Sequence, residues 1–148
     1  MGSDKIRKIQ LQVKDDTCCS IYGIVFPEPA YKLCLALNNL LGISLKSDTP
    51  VVVDDGKGNK INFARFCDLS EIPLKWTALV SNRYESISLV KKLANIDYLI
   101  LHFNDSENEC DDNEFASSVR KSGVTNGIFN IERALIDKDI FEKLIPLH

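Results

Sequence analysis

Tyr98, Leu99, Ile100, Leu101, His102 and Phe103 form an apolar run interrupted by a single histidine. A strand with one wet face alternates apolar and polar residues, whereas a run without alternation needs cover on both faces. The run therefore predicts the central strand of a sheet, and the rest of the chain must supply its cover. It is entered from a polar turn, Ser81-Asn82-Arg83, through a stretch over 86–94 in which Ile87, Val90 and Ala94 share one helical face. That stretch is expected to be a short helix or helical turn.

The elements around this run follow from periodicity and breakers. Ile9, Leu11 and Val13 alternate with Lys8, Gln10 and Gln12, which predicts a half-buried strand. Residues 21–26 are apolar and end at Pro27, so they read as a second short strand or an irregular packed loop. The clearest helix covers 28–41, with Ala30, Leu33, Cys34, Leu37, Leu40 and Leu41 on one side. Pro29 suits its first turn and Gly42 its end. Leu35 and Ala36 widen the apolar face, so the helix should lie flat on a sheet, with Asn38 and Asn39 turned to solvent or bonded to each other. Full burial of four leucines would contribute about 6–12 kcal/mol before the entropy of ordering is subtracted.

Residues 51–53 and 61–66 flank the glycine-rich segment Asp54-Asp55-Gly56-Lys57-Gly58-Asn59-Lys60, a hairpin signature. A strand over 76–80 follows Pro73. Residues 104–114 form an acidic loop, 113–121 a helix stopped by Gly123, and 124–131 a weaker strand with Gly127 as a bulge. Asp137 is placed to cap a last helix over 138–144, ended by Pro146. The expected architecture is α+β: a single domain over 1–148 with one antiparallel sheet, one main helix packed across it and short additional helices. Residues 1–5 read as an appended leader without functional weight.

Composition excludes several classes of function. The net charge is −3 and the cations are scattered, which disfavours nucleic acid. No signal peptide precedes the chain's first strand, and no apolar stretch approaches the roughly 20 residues that span a bilayer. The five cysteines, Cys18, Cys19, Cys34, Cys67 and Cys110, lack paired metal-ligand spacing and read as reduced thiols of a cytoplasmic protein. No cofactor is implied, and neither a metal set nor a catalytic set is found. Gly56-Lys57-Gly58-Asn59-Lys60 has neither the spacing of a phosphate loop nor a helix after it. The acidic loop cannot be an EF-hand, because Cys110 stands where glycine is required and Ala116 where the bidentate glutamate belongs.

Ser81-Asn82-Arg83 followed by Val90-Lys91-Lys92-Leu93-Ala94-Asn95-Ile96-Asp97-Tyr98 resembles a family of small bacterial proteins named for an Ile-Pro-Glu-x-x-x-Val-Asp-Tyr signature. Ile96-Asp97-Tyr98 matches the end of the signature, and Val90-Lys91-Lys92 keeps only its first apolar position. Tyr31-Lys32-Leu33-Cys34-Leu35-Ala36-Leu37-Asn38, Leu41-Gly42-Ile43 and 124–131 are similar to the family's helix and late strand. The resemblance implies a cytoplasmic α+β domain of unknown function and supplies no catalytic residues.

The residues with the best claim to a ligand site are Arg83, Asp97, Tyr98 and His102; Arg83, Asp97 and His102 are expected to bracket one end of the central strand. Arg83 suits a carboxylate or phosphate, or else an ion pair with Asp97 or Glu85. Asp97 can close a turn by accepting backbone N–H bonds, and Tyr98 can start the strand with its hydroxyl at the rim. His102 reads as a general base or as a strand-end histidine bonded to backbone. Trp76 and Tyr84 are aromatic contacts or core. The leading expectation is a non-enzymatic domain that binds a protein partner or self-associates, because one helix on one face of a sheet leaves an apolar surface to cover. The alternatives are a ligand pocket or enzyme near Arg83, Asp97 and His102, and an adaptor that docks through the acidic loop.

Overall fold

The computed structural model describes residues 19–72, 74–104 and 113–146. The strand expected over 7–13 and most of the acidic loop, 105–112, lie outside the described residues.

A six-stranded antiparallel sheet organises the chain, an α+β fold. Its strands are β1 (Cys19–Val25), β2 (Lys46–Asp54), β3 (Lys60–Glu71), β4 (Lys75–Ser81), β7 (Tyr98–Asn104) and β8 (Gly127–Asn130), in the order β2-β3-β4-β7-β1-β8. A separate two-stranded ribbon, β5 (Arg83–Tyr84) with β6 (Ile87–Ser88), leaves the end of β4. The helices are α1 (Ala30–Leu41), α2 (Asn113–Ser122) and α3 (Lys138–Leu144).

The apolar run is β7, and it is interior: Leu99 pairs with Val80 of β4 on one side and with Gly23 of β1 on the other. Alternate residues of β7 feed opposite cores. Tyr98 and Ile100 join Tyr22, Ile24 and Leu79 under α1 and α2. Leu99, Leu101 and Phe103 join Trp76, Ala78 and Val80 under 89–96 and α3. Both faces are thus covered, and the bare sheet face expected from a single main helix does not exist over the central strands. Of residues 21–26, 21–25 resolve as strand, because β1 is sandwiched between β7 and β8 and its apolar run is buried on both sides; Phe26 follows its end.

The main helix is narrower in its burial than its composition suggests. Leu33, Cys34 and Leu37 are buried, but Leu35 is 61% exposed and Leu40 is 37% exposed. Leu35 stands one turn from Tyr31 on the outer flank, so the apolar stripe exceeds the arc that can touch the sheet. Two leucines go fully inside, which halves the expected stabilisation to about 3–6 kcal/mol. Asn38 turns inward instead of bonding Asn39: its Oδ1 accepts the Leu45 N–H at 2.8 Å and fixes the exit from the helix. Gly42 takes the left-handed conformation that ends α1, with φ 66°.

The hairpin is longer than its apolar ends indicated. β2 and β3 extend to Lys46 and Glu71, with an irregularity between Asp48 and Val51 that accommodates Pro50 on the sheet's edge. Within 86–94 the expected helical turn is confined to one 3₁₀ turn, Lys91–Leu93, and the strand β6 precedes it. Gly127 makes no bulge. It pairs in register with Val25, and the Phe129 ring lies 3.0 Å from where its Cβ would stand, covering the gap.

Candidate functional site

The Ser81-Asn82-Arg83 turn builds its surroundings through Asn82, which is fully buried. Its Nδ2 donates to the carbonyls of Leu93 (2.8 Å) and Ile96 (2.9 Å), and its Oδ1 accepts the Val90 N–H at 2.9 Å. Its backbone takes part too: the carbonyl accepts from Leu89 at 2.8 Å and the N–H donates to Asp97 at 2.9 Å. One amide side chain therefore adds three hydrogen bonds to the segment's own turn bonds, Leu93 N–H to Val90 and Ile96 N–H to Leu93, and ties 89–96 to the end of β4. Nothing in the local pattern announced this role, since an asparagine between serine and arginine reads as an ordinary turn.

The pinned segment forms one wall of a groove of about 850 Å³. The floor is the outer end of the β2–β3 hairpin, with Val53, Ile61 and Phe63. The pinned wall contributes Ile87, Leu89 and Val90, and the opposite wall Leu135 and Ile140 at the start of α3. Charged side chains stand at the rim: Lys91 and Lys92 on the pinned wall, Asp137 on the α3 wall, and Asp54, Asp55 and Lys57 at the hairpin turn. These three segments are far apart in sequence, which is why inspection of the chain did not find the groove.

The four residues singled out from the sequence are only partly brought together. Arg83 Nε meets Asp97 Oδ1 at 2.9 Å, with Arg83 about half exposed. Asp97 Oδ2 accepts the Phe26 N–H at 2.8 Å, so this carboxylate ties the entry of β7 to the exit of β1, not to the turn that precedes it. Tyr98 donates its hydroxyl to the Glu28 carbonyl at 2.8 Å, and burial, with the neighbouring Asp97 charge, raises its pKa. His102 lies four residues along β7 from Tyr98, about 13 Å by strand rise. It pairs with Thr77 Oγ1 at 3.0 Å and stacks on Phe115 of α2 at 5.0 Å. The structure thus brings Arg83 and Asp97 together, as one of the expected ion pairs, and places His102 against Thr77 and Phe115 instead. Trp76 is buried against Phe103, and Tyr84 is exposed on the ribbon.

Two of the described thiols, Cys34 and Cys67, are poorly suited to nucleophilic chemistry. Burial pushes Cys34 up to about 11, and burial together with the Asp48 carboxylate pushes Cys67 up to about 12. No group of histidine, cysteine and carboxylate side chains among the described residues has the arrangement to hold a metal ion. No helix among the described residues is long and apolar enough to cross a membrane. No family model, curated protein or solved structure matches this chain.

Proposed function

We propose that this chain is a non-enzymatic cytoplasmic binding domain whose ligand is a small apolar molecule held in the groove between the hairpin tip, residues 86–94 and the start of α3. The observation that carries the reading is the groove: a concave space of about 850 Å³ with an apolar floor and a charged rim. Ligand sites of small molecules have this size and this division between apolar lining and a few polar groups. The cost of the wall supports the same reading, because a buried asparagine and five hydrogen bonds hold a segment that a plain short loop could have replaced. The span that resembles the Ile-Pro-Glu-x-x-x-Val-Asp-Tyr signature, 90–98, is this wall and its return into β7, and we extend the proposal to that family.

Titration of the isotope-labelled chain with decanol, a neutral straight-chain probe, tests the reading. Saturable shifts of the amides of Ile61, Leu89, Val90 and Ile140 are expected. Shifts absent there, or spread evenly over the surface, reject it.

A second reading, self-association, is supported by Tyr31 and Leu35, exposed at 59% and 61% one turn apart on the outer flank of α1. Light scattering over a micromolar concentration series decides it: a dimer that Leu35→Lys dissociates supports the reading, and a constant monomer mass rejects it. The adaptor reading rests on the acidic loop, which lies outside the described residues and adds nothing to the choice.

A further inference from the structure

Resting on the groove reading, we propose that the ligand is an amphipathic anion: an apolar chain or ring carrying a carboxylate or similar single head group, seated with that head against Lys91 and Lys92. The rim holds equal numbers of lysines and aspartates, so charge count alone decides nothing; their engagement does. Asp54 Oδ1 accepts the Gly56 N–H at 2.8 Å. Asp55 accepts the N–H groups of Lys57 (2.7 Å) and Asn59 (3.1 Å) and the Asn59 side-chain amide at 3.1 Å. Both carboxylates are thereby committed to closing the hairpin turn, and the backbone donor of Lys57, followed by Asn59, holds the Asp55 carboxyl below the usual range.

The ammonium groups of Lys91 and Lys92 have no hydrogen-bond or ion-pair partner among the described residues. They are adjacent on the 3₁₀ turn that Asn82 fixes, beside the apolar side chains of Leu89 and Val90. Asp137, whose side chain makes no capping hydrogen bond, stands on the α3 wall across the groove. The walls are thus electrically unlike: Lys91 and Lys92 with free donors stand on one, Asp137 is the carboxylate of the other, and Asp54 and Asp55 keep their charges at the hairpin turn with acceptors already engaged. An anionic head gains two charge-assisted donors at the lysine wall, and it avoids Asp137 only in that one orientation. A cationic head at the lysine wall would meet two like charges, and the hairpin-turn carboxylates have their acceptor oxygens already engaged by backbone N–H groups. Apolar burial supplies the affinity, and the lysine pair sets the polarity of the bound molecule.

Three probes of one chain length separate this inference from the groove reading beneath it: decanoate, decanol and decyltrimethylammonium, each below its micelle concentration, titrated against the full chain by amide shifts. Decanoate is expected to bind about tenfold more tightly than decyltrimethylammonium, a factor that corresponds to about 1.4 kcal/mol. In a Lys91→Gln, Lys92→Gln double variant the preference should vanish while decanol affinity stays the same. Both side chains are exposed, so the fold should survive, and an unchanged melting curve checks it. Equal affinity for the two charged probes, a preference for the cation, or a preference for decanoate that persists in the variant overturns the inference and leaves the groove standing. Binding of none of the three removes the groove itself.

Discussion

Asn82 shows how much one polar residue can organise when it is buried and fully paired. Replacing it by alanine leaves the buried Ile96 carbonyl and Val90 N–H without their Asn82 partners and takes one of two donors from the Leu93 carbonyl, which keeps the Ile96 N–H. Each such group costs about 1–3 kcal/mol, so Asn82→Ala should lower unfolding free energy by about 3–5 kcal/mol in a urea titration. Asn82→Asp should be no better, because an oxygen would then face two carbonyls. A loss below 1 kcal/mol would mean that the network contributes little. The thiols give an independent test at this scale. Cys34 and Cys67 keep their protons in the fold to pH values well above those of a free thiol. The raised values favour the folded state below the free-thiol pKa near 8.5, and that contribution is lost as pH rises toward about 11 and 12. Iodoacetamide at pH 8 should therefore modify both slowly in the native chain and rapidly in urea, and stability should decline above pH 9. Equal rates in the two states would contradict the buried placement.

At the scale of elements, legibility followed the range of the forces. The β7 run, α1, the hairpin and α3 were readable because burial on one or both faces stamps a period on the sequence. Elements fixed by distant partners were not. Residues 86–94 carry a helical apolar spacing, yet they coil only over 91–93, as a 3₁₀ turn whose remaining polar groups Asn82 helps to satisfy. Arg83, Asp97 and His102 looked like one cluster, yet β7 is extended, and four residues of strand separate Asp97 from the histidine. The groove was invisible because its floor and two walls come from three remote segments. Gly23 marks another contact of this kind. A Cβ there would stand 3.0 Å from Ile131 and 3.1 Å from Ile96, so its absence lets 89–96 and the chain after β8 close over the middle of β1. Gly23→Val should overpack this point and cost about 1–3 kcal/mol, measured by urea unfolding. Gly23→Val stability equal to that of the unaltered chain would show that the two isoleucines have room to move.

For the whole molecule, the sheet is shared by two cores, one under α1 and α2 and one under the pinned segment and α3. That arrangement replaces the expected single covered face, and it moves the search for function from an open sheet to the groove at the sheet's margin. The two cores also differ in how they are held: two helices secure the first, whereas a turn pinned by one asparagine secures much of the second. Native-state hydrogen exchange of Asn82→Ala reads this difference directly. The account predicts that the amides over 89–97 lose protection, that decanol no longer shifts Ile61 and Ile140, and that Leu99, Ile100 and Leu101 of β7 stay among the slowest to exchange. Unchanged protection over 89–97 with decanol binding intact would contradict it.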